Sequence, residues 1–190
     1  MSQIGITQQA MTKLTGKDDY GTPLKAFLKI QNEYAKTKFE IDACASDYNH
    51  KVDYYITKEM NLFNQKLDAP FFMNPIYGKR GFRTFNKGKP DEVTIFNEYG
   101  TADFVEFARN QHFRFNVTGA VLLFANVSSS DYFQRFVGEF PEDRQRNECE
   151  IFYYPERIQF DKFENGIKVK DGTPSLSSFV VVYDERFGKK

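Results

Sequence analysis

Tryptophan is absent from this chain of 190 residues, and histidine and cysteine occur only twice each. So few imidazoles and thiols exclude a metal centre built on them, and the two cysteines, Cys44 and Cys149, lack the short spacing of zinc ligands. Both read as free thiols of a reducing compartment, which implies a cytoplasmic location. Net charge is missing too: Lys plus Arg and Asp plus Glu both number 26, which excludes a chain-wide electrostatic grip on nucleic acid. No apolar run approaches the roughly 20 residues that cross a bilayer, and no charged-then-apolar leader opens the chain, so no membrane partner is expected.

Aromatic rings are plentiful, with 21 Phe and 11 Tyr, enough for a core and for stacking surfaces. The length fits a single domain with a substantial core. Residues 1–18 are polar and aperiodic and read as an N-terminal arm, leaving 19–190 as the domain. Charge, although balanced, is uneven. Between Lys79 and Lys89 stand five basic residues and no acid, namely Lys79, Arg80, Arg83, Lys87 and Lys89, with Phe82 and Phe85 interleaved. Residues 78–100 form a polar, Gly-containing insertion without clear period, and structureless stretches of that length are commonly functional or disordered.

Thr22-Pro23 reads as a helix cap followed by proline, opening a helix to about Tyr34. Strands are expected over 39–43, 52–56 and 70–73, a helix over 101–113 and a buried strand over 119–125. A short helix capped by Ser129 or Ser130 runs to Phe136. Residues 149–154, 158–160 and 178–183 complete the strands. Helices alternate with strands early and strands dominate late, which fits an α/β sheet with a partly antiparallel end.

The most informative stretch is Phe71-Phe72-Met73-Asn74-Pro75-Ile76-Tyr77. An apolar run ends in an amide, a proline and a ring. Asn-Pro takes the chain out of the strand, and open α/β sheets bind ligands at that edge. The Asn74 amide oxygen, the Pro75 carbonyl and the Tyr77 face together suit a planar base carrying an exocyclic amine. Two acceptors on its N–H groups would localise the nitrogen lone pair. A stacked ring would contribute ~1–3 kcal/mol. The same residues also fit an ordinary strand exit with a packed tyrosine.

Other segments stand in a telling order: Asp19-Tyr20-Gly21-Thr22-Pro23, then Asp42-Ala43-Cys44-Ala45-Ser46-Asp47-Tyr48-Asn49, then the Asn74 exit, then Gly119 to Ala125 and Ser178 to Tyr183. In this order the chain resembles the phage-type DNA N6-adenine methyltransferases, the phage Dam-like family. That family carries a Thr-Pro, an Asp-x-Cys-Ala-Ser-x-x-Asn segment and an Asn-Pro-Pro-Tyr motif. The resemblance runs from about Asp19 to Tyr183. It implies a single-domain, Rossmann-like S-adenosylmethionine-dependent methyltransferase fold, a mixed sheet with helices on both faces. It implies methyl transfer from S-adenosylmethionine to a flipped-out adenine of DNA, in the host cytoplasm if a phage encodes the chain. Asn74, Pro75 and Tyr77 would carry catalysis.

By the same resemblance, Tyr20, Thr22, Pro23, Asp42, Cys44, Ala45, Ser46 and Asn49 would line the donor pocket. Glu59 or Asn61 would reach its ribose or adenine. Lys79, Arg80, Phe82, Arg83, Lys87 and Lys89 would hold DNA at the mouth of the site. No metal is required, and a monomer or homodimer is expected. The chain departs from the family at Ile76, where a second proline is usual. That loss removes ~0.4–1 kcal/mol of loop order and predicts a looser exit rather than an inactive one. Two rivals share the motifs: a catalytically silent protein that binds DNA or donor, and an amino methyltransferase acting on cytosine N4 or RNA.

Overall fold

A computed structural model describes residues 20–85, 87–90, 92–164, 166–172 and 177–188; the N-terminal arm at 1–18 and the pair Ser175-Leu176 lie outside the described residues. The strands in chain order are β1 (Tyr20–Gly21), β2 (Ile41–Asp42), β3 (Tyr54–Tyr55), β4 (Phe71–Met73), β5 (Gly81–Phe85), β6 (Val93–Asn97), β7 (Gly119–Phe124), β8 (Cys149–Tyr153), β9 (Phe160–Glu164), β10 (Ile167–Gly172) and β11 (Ser178–Tyr183). The helices are α1 (Leu24–Lys29), α2 (Thr101–Phe115), α3 (Asp131–Phe136) and α4 (Pro141–Arg146).

Six strands form a mixed sheet in the order β3-β2-β4-β7-β11-β8. β3, β2, β4 and β7 pair in parallel, while β11 runs antiparallel to both its neighbours. Uninterrupted apolar sequence explains why the centre is buried on both faces. In β4, Phe71 and Met73 point to one face and Phe72 to the other; β7 and β11 alternate in the same way. The face holding Phe71, Met73, Val121, Leu123 and Val181 packs against Phe104, Val105 and Ala108 of α2 and Phe133 of α3. The opposite face, with Phe72, Leu122, Val180 and Val182, packs against Ala26 and Phe27 of α1. Helices therefore cover both faces, as expected.

Register adds a constraint. Gly119 of β7 stands opposite Phe71 of β4, and a Cβ there would come within 2.2 Å of the Phe71 ring. The ring occupies the space that glycine leaves. His112, fully buried on α2, joins elements at the far end. One ring nitrogen lies 2.8 Å from the Val117 carbonyl and the other 2.9 Å from the Glu148 carboxylate.

Several local expectations change. α1 begins at Leu24 with Pro23 at the capping position and Thr22 makes no cap; the helix continues as a π-helical segment, Ile30–Ala35. Ser130 stands at the start of α3, but its hydroxyl turns back 2.5 Å to the Val127 carbonyl instead of capping. The strand expected at 158–160 starts at Phe160 and turns into β10, and β9 also pairs with β1 to form a three-stranded sheet, β1-β9-β10. Residues 78–100 are not a loop. They contain the antiparallel β5–β6 hairpin, because Val93-Thr94-Ile95-Phe96 is strongly β-forming and sets Thr94 opposite Thr84 and Phe96 opposite Phe82. Among the described residues no helix is long and apolar enough to cross a membrane.

Candidate active site

From β2 the chain passes to β3 on one side and later to β4 on the other, so the sheet order reverses between β2 and β4. A crevice is left outside the carboxyl ends of the strands at such a point. Asp42 and Cys44 from the end of β2 line it, facing Phe72 and Asn74 from β4. β1 supplies a third wall through Tyr20, Gly21 and Thr22, and the β2–β3 connection a fourth through Asn49 and Lys51. The cleft is narrow. Its cavity volume of about 10 Å³ has room for roughly one water, so the walls must part to admit anything of nucleoside size.

Asp42 is 3% exposed, and its carboxylate accepts the Lys51 backbone N–H at 3.0 Å. Burial pushes its pKa up to about 6, against the pull of the Lys51 N–H and charge. Burial also lifts the Cys44 thiol well above its usual range, with Asp42 adding to the effect, so Cys44 is held as a neutral thiol. Small residues let the backbone turn tightly after β2: the Ala45 N–H donates to the Ile56 carbonyl and the Ser46 N–H donates to the Asn49 side chain at 2.8 Å. Asn49 thus braces the turn. Gly21 crosses so near that a Cβ would stand 3.1 Å from Asn49.

Two hydroxyls in this region, Thr22 Oγ1 and Ser46 Oγ, are buried with no hydrogen-bond partner among the described residues. Buried hydroxyls without partners cost free energy unless a ligand or water serves them. Within the cleft itself a neutral thiol, an acid, a lysine and the spare Thr22 hydroxyl make a donor set that fits the polar atoms of S-adenosylmethionine.

At the exit from β4, the Tyr77 hydroxyl donates toward Asn74 Oδ1 at 2.8 Å and the Leu122 carbonyl at 2.9 Å. The ring lies against Phe124, centroids 4.1 Å apart at 34°, and is packed onto the core. Tyr77 is therefore beside Asn74 but does not line the cleft with it. Pro75 is buried and Ile76 is 39% exposed. The segment is held from α2: the Gly78 N–H donates to Thr101 Oγ1 at 2.9 Å and the Thr101 N–H donates to the Gly78 carbonyl at 2.9 Å.

Of the remaining expected residues, Ala45 and Ser46 form the turn behind Cys44, and Pro23 starts α1. Glu59 is exposed, and Asn61 uses its side chain to cap the 3-10 helix Leu62–Asn64. Neither lines the cleft. Lys79, Arg80, Lys87 and Lys89 are exposed on or beside the hairpin. Phe82 is 80% exposed and pairs across it with Phe96, ring centroids 5.1 Å apart. Arg83 lies in β5, its side chain outside the described residues. Sequence reasoning missed Gly21, Lys51 and Phe72 as lining residues. Lys51 in a polar stretch reads as surface, and only its partial burial in the wall of the cleft beside Asp42 gives it away.

These features define an α/β protein with a polar cleft at its topological switch point and a polar strand exit beside it. A family model described as DNA N-6-adenine-methyltransferase (Dam) matches residues 9–184. The chain belongs to this family. A DNA N-6-adenine-methyltransferase of Haemophilus phage HP1 (strain HP1c1) is 36% identical over 67 residues, 35% of this chain and 38% of that protein. The chain thus matches well under half the length of that relative. No solved structure matches.

Proposed function

We propose that the chain is a DNA adenine-N6 methyltransferase of Rossmann-like fold that uses S-adenosylmethionine. The observation that carries the reading is the Asn74 carboxamide, which lines the Asp42 cleft while a buried tyrosine hydroxyl fixes its oxygen. Family membership supports it.

S-adenosylmethionine, when bound, supplies an electrophilic methyl carbon. Thr22, Asp42, Cys44, Asn49 and Lys51 would hold it. Asn74 Oδ1 has a second lone pair beyond the one directed at Tyr77, and it accepts a hydrogen bond from the adenine amine. The Pro75 carbonyl accepts the other N–H. Together they would draw the nitrogen toward tetrahedral geometry and localise its lone pair, so that the new N–C bond would form as the donor's S–C bond breaks and its sulfur leaves as a neutral thioether. Neither oxygen is a base at neutral pH, so the proton shed by the methylated nitrogen leaves to water. Tyr77 orients Asn74 through its hydroxyl, while its ring stays packed on Phe124. Lys79, Arg80, Phe82, Arg83, Lys87 and Lys89 would bind the DNA around that base.

The test is transfer of labelled methyl from S-adenosylmethionine to unmethylated DNA, followed by digestion to nucleosides. Label in N6-methyl-2′-deoxyadenosine is expected, and Asn74→Ala should abolish it while calorimetry still detects donor binding. Label in N4-methyl-2′-deoxycytidine overturns the adenine assignment, and label that enters only RNA offered in place of DNA overturns the DNA assignment. Binding without transfer on any DNA would replace the enzyme by a silent binding protein.

A further inference from the structure

We propose that Lys51 is the donor-binding residue that takes up the α-carboxylate of the methyl donor, so the β2–β3 connection selects donors with an intact amino-acid end. The inference rests on the donor reading of the cleft given above. Among the described residues Lys51 is the only cationic side chain lining that cleft. Its ammonium carries three N–H donors, and among the described residues it has one acceptor, the Asn49 carbonyl. The acids around it are already engaged. Asp42 accepts the Lys51 backbone N–H, and Asp161 is paired with Lys168 at 2.6 Å. Both act on the Lys51 ammonium only as nearby charge, while burial disfavours its charged form.

A part-buried lysine with spare donors is costly unless an anion completes it. S-adenosylmethionine has a single anionic group, its carboxylate, alongside a cationic amine and sulfonium. Lys51 and the buried Asp42 carboxyl stand on adjoining walls, so the cleft offers one group of each sign. Electrostatic complementarity then orients the ligand, with the carboxylate to Lys51 and the cationic centres toward Asp42. Because the cavity now holds about one water, the Lys51 side chain must also shift as the walls part.

The full chain should be titrated by calorimetry with S-adenosylmethionine and with its decarboxylated analogue, which lacks only the α-carboxylate. The wild type should bind the intact donor about 10- to 100-fold more tightly, the range of a charge-assisted hydrogen bond. Lys51→Met should bind the two equally, and Lys51→Arg should restore part of the preference. A wild-type chain that binds both equally overturns the proposal without any variant being needed. A Lys51→Met chain that loses both ligands alike, or keeps the full preference, also overturns it and makes Lys51 a structural neighbour of Asp42. If the wild type binds neither ligand, the donor reading falls and takes this inference with it.

Discussion

A single phenolic proton serves two acceptors at the centre of the site. Tyr77 is placed to donate to Asn74 or to the Leu122 carbonyl. Burial pushes its pKa well above the usual tyrosine range, with Cys44 and Tyr132 adding to the effect, so the phenol stays a donor. Tyr77→Phe leaves both oxygens without it and should cost about 1–3 kcal/mol in urea denaturation, along with a fall in methyl transfer. Asn74→Ala leaves the phenol its bond to Leu122 and should cost less stability, under about 1 kcal/mol, despite the larger effect on transfer. The reverse order of stabilities would show that the pair does not act as described. Asp42 gives a pH signature. Its folded pKa, about 6, lies above the ordinary aspartate value of 3.8, so the folded state binds the proton more tightly. Its ionised form therefore costs stability: nothing below pH ~4, a growing cost between ~4 and 6, and a constant ~3 kcal/mol above. Asp42→Asn should gain on the wild type through that window and hold a fixed lead at higher pH; parallel stability curves would refute the burial of the charge.

Among the elements, β4 and its exit could be read from sequence because an apolar run followed by Asn-Pro leaves little choice of conformation. α2 was equally legible, its Phe104, Val105, Phe107 and Ala108 recurring at helical spacing and all buried. The β5–β6 hairpin was not, since basic residues masked a strand pattern whose outward aromatics, Phe82 and Phe96, face solvent. β1 was missed because two residues carry no period; they become a strand only by pairing with β9. Gly119 was legible merely as part of an apolar run, yet its missing side chain admits the Phe71 ring. Gly119→Ala should overpack that crossing, costing about 1–3 kcal/mol and lowering Tm by roughly 2–10 °C. An unchanged melting curve would mean β4 and β7 can move apart freely.

For the whole molecule, balanced charge means that the DNA affinity proposed above would have to come from a local surface. The exposed lysines of the hairpin supply one on the proposed reading. Lys87→Ala with Lys89→Ala should flatten the dependence of log K on log salt by about 1 for each phosphate no longer neutralised, with donor binding untouched in calorimetry. A slope that does not change would move the DNA to another face.

The order of motifs, the apolar strands and the Asn-Pro-Ile-Tyr exit determined the family, the α/β class and the candidate groups, because local pattern and residue chemistry are written along the chain. Which of those groups meet was decided only in three dimensions. Asp42 and Asn74, far apart in sequence, line one cleft because β2 and β4 are adjacent parallel strands. Lys51 joined them and Glu59 and Asn61 did not, since strand order and burial depend on distant pairings that no local window contains.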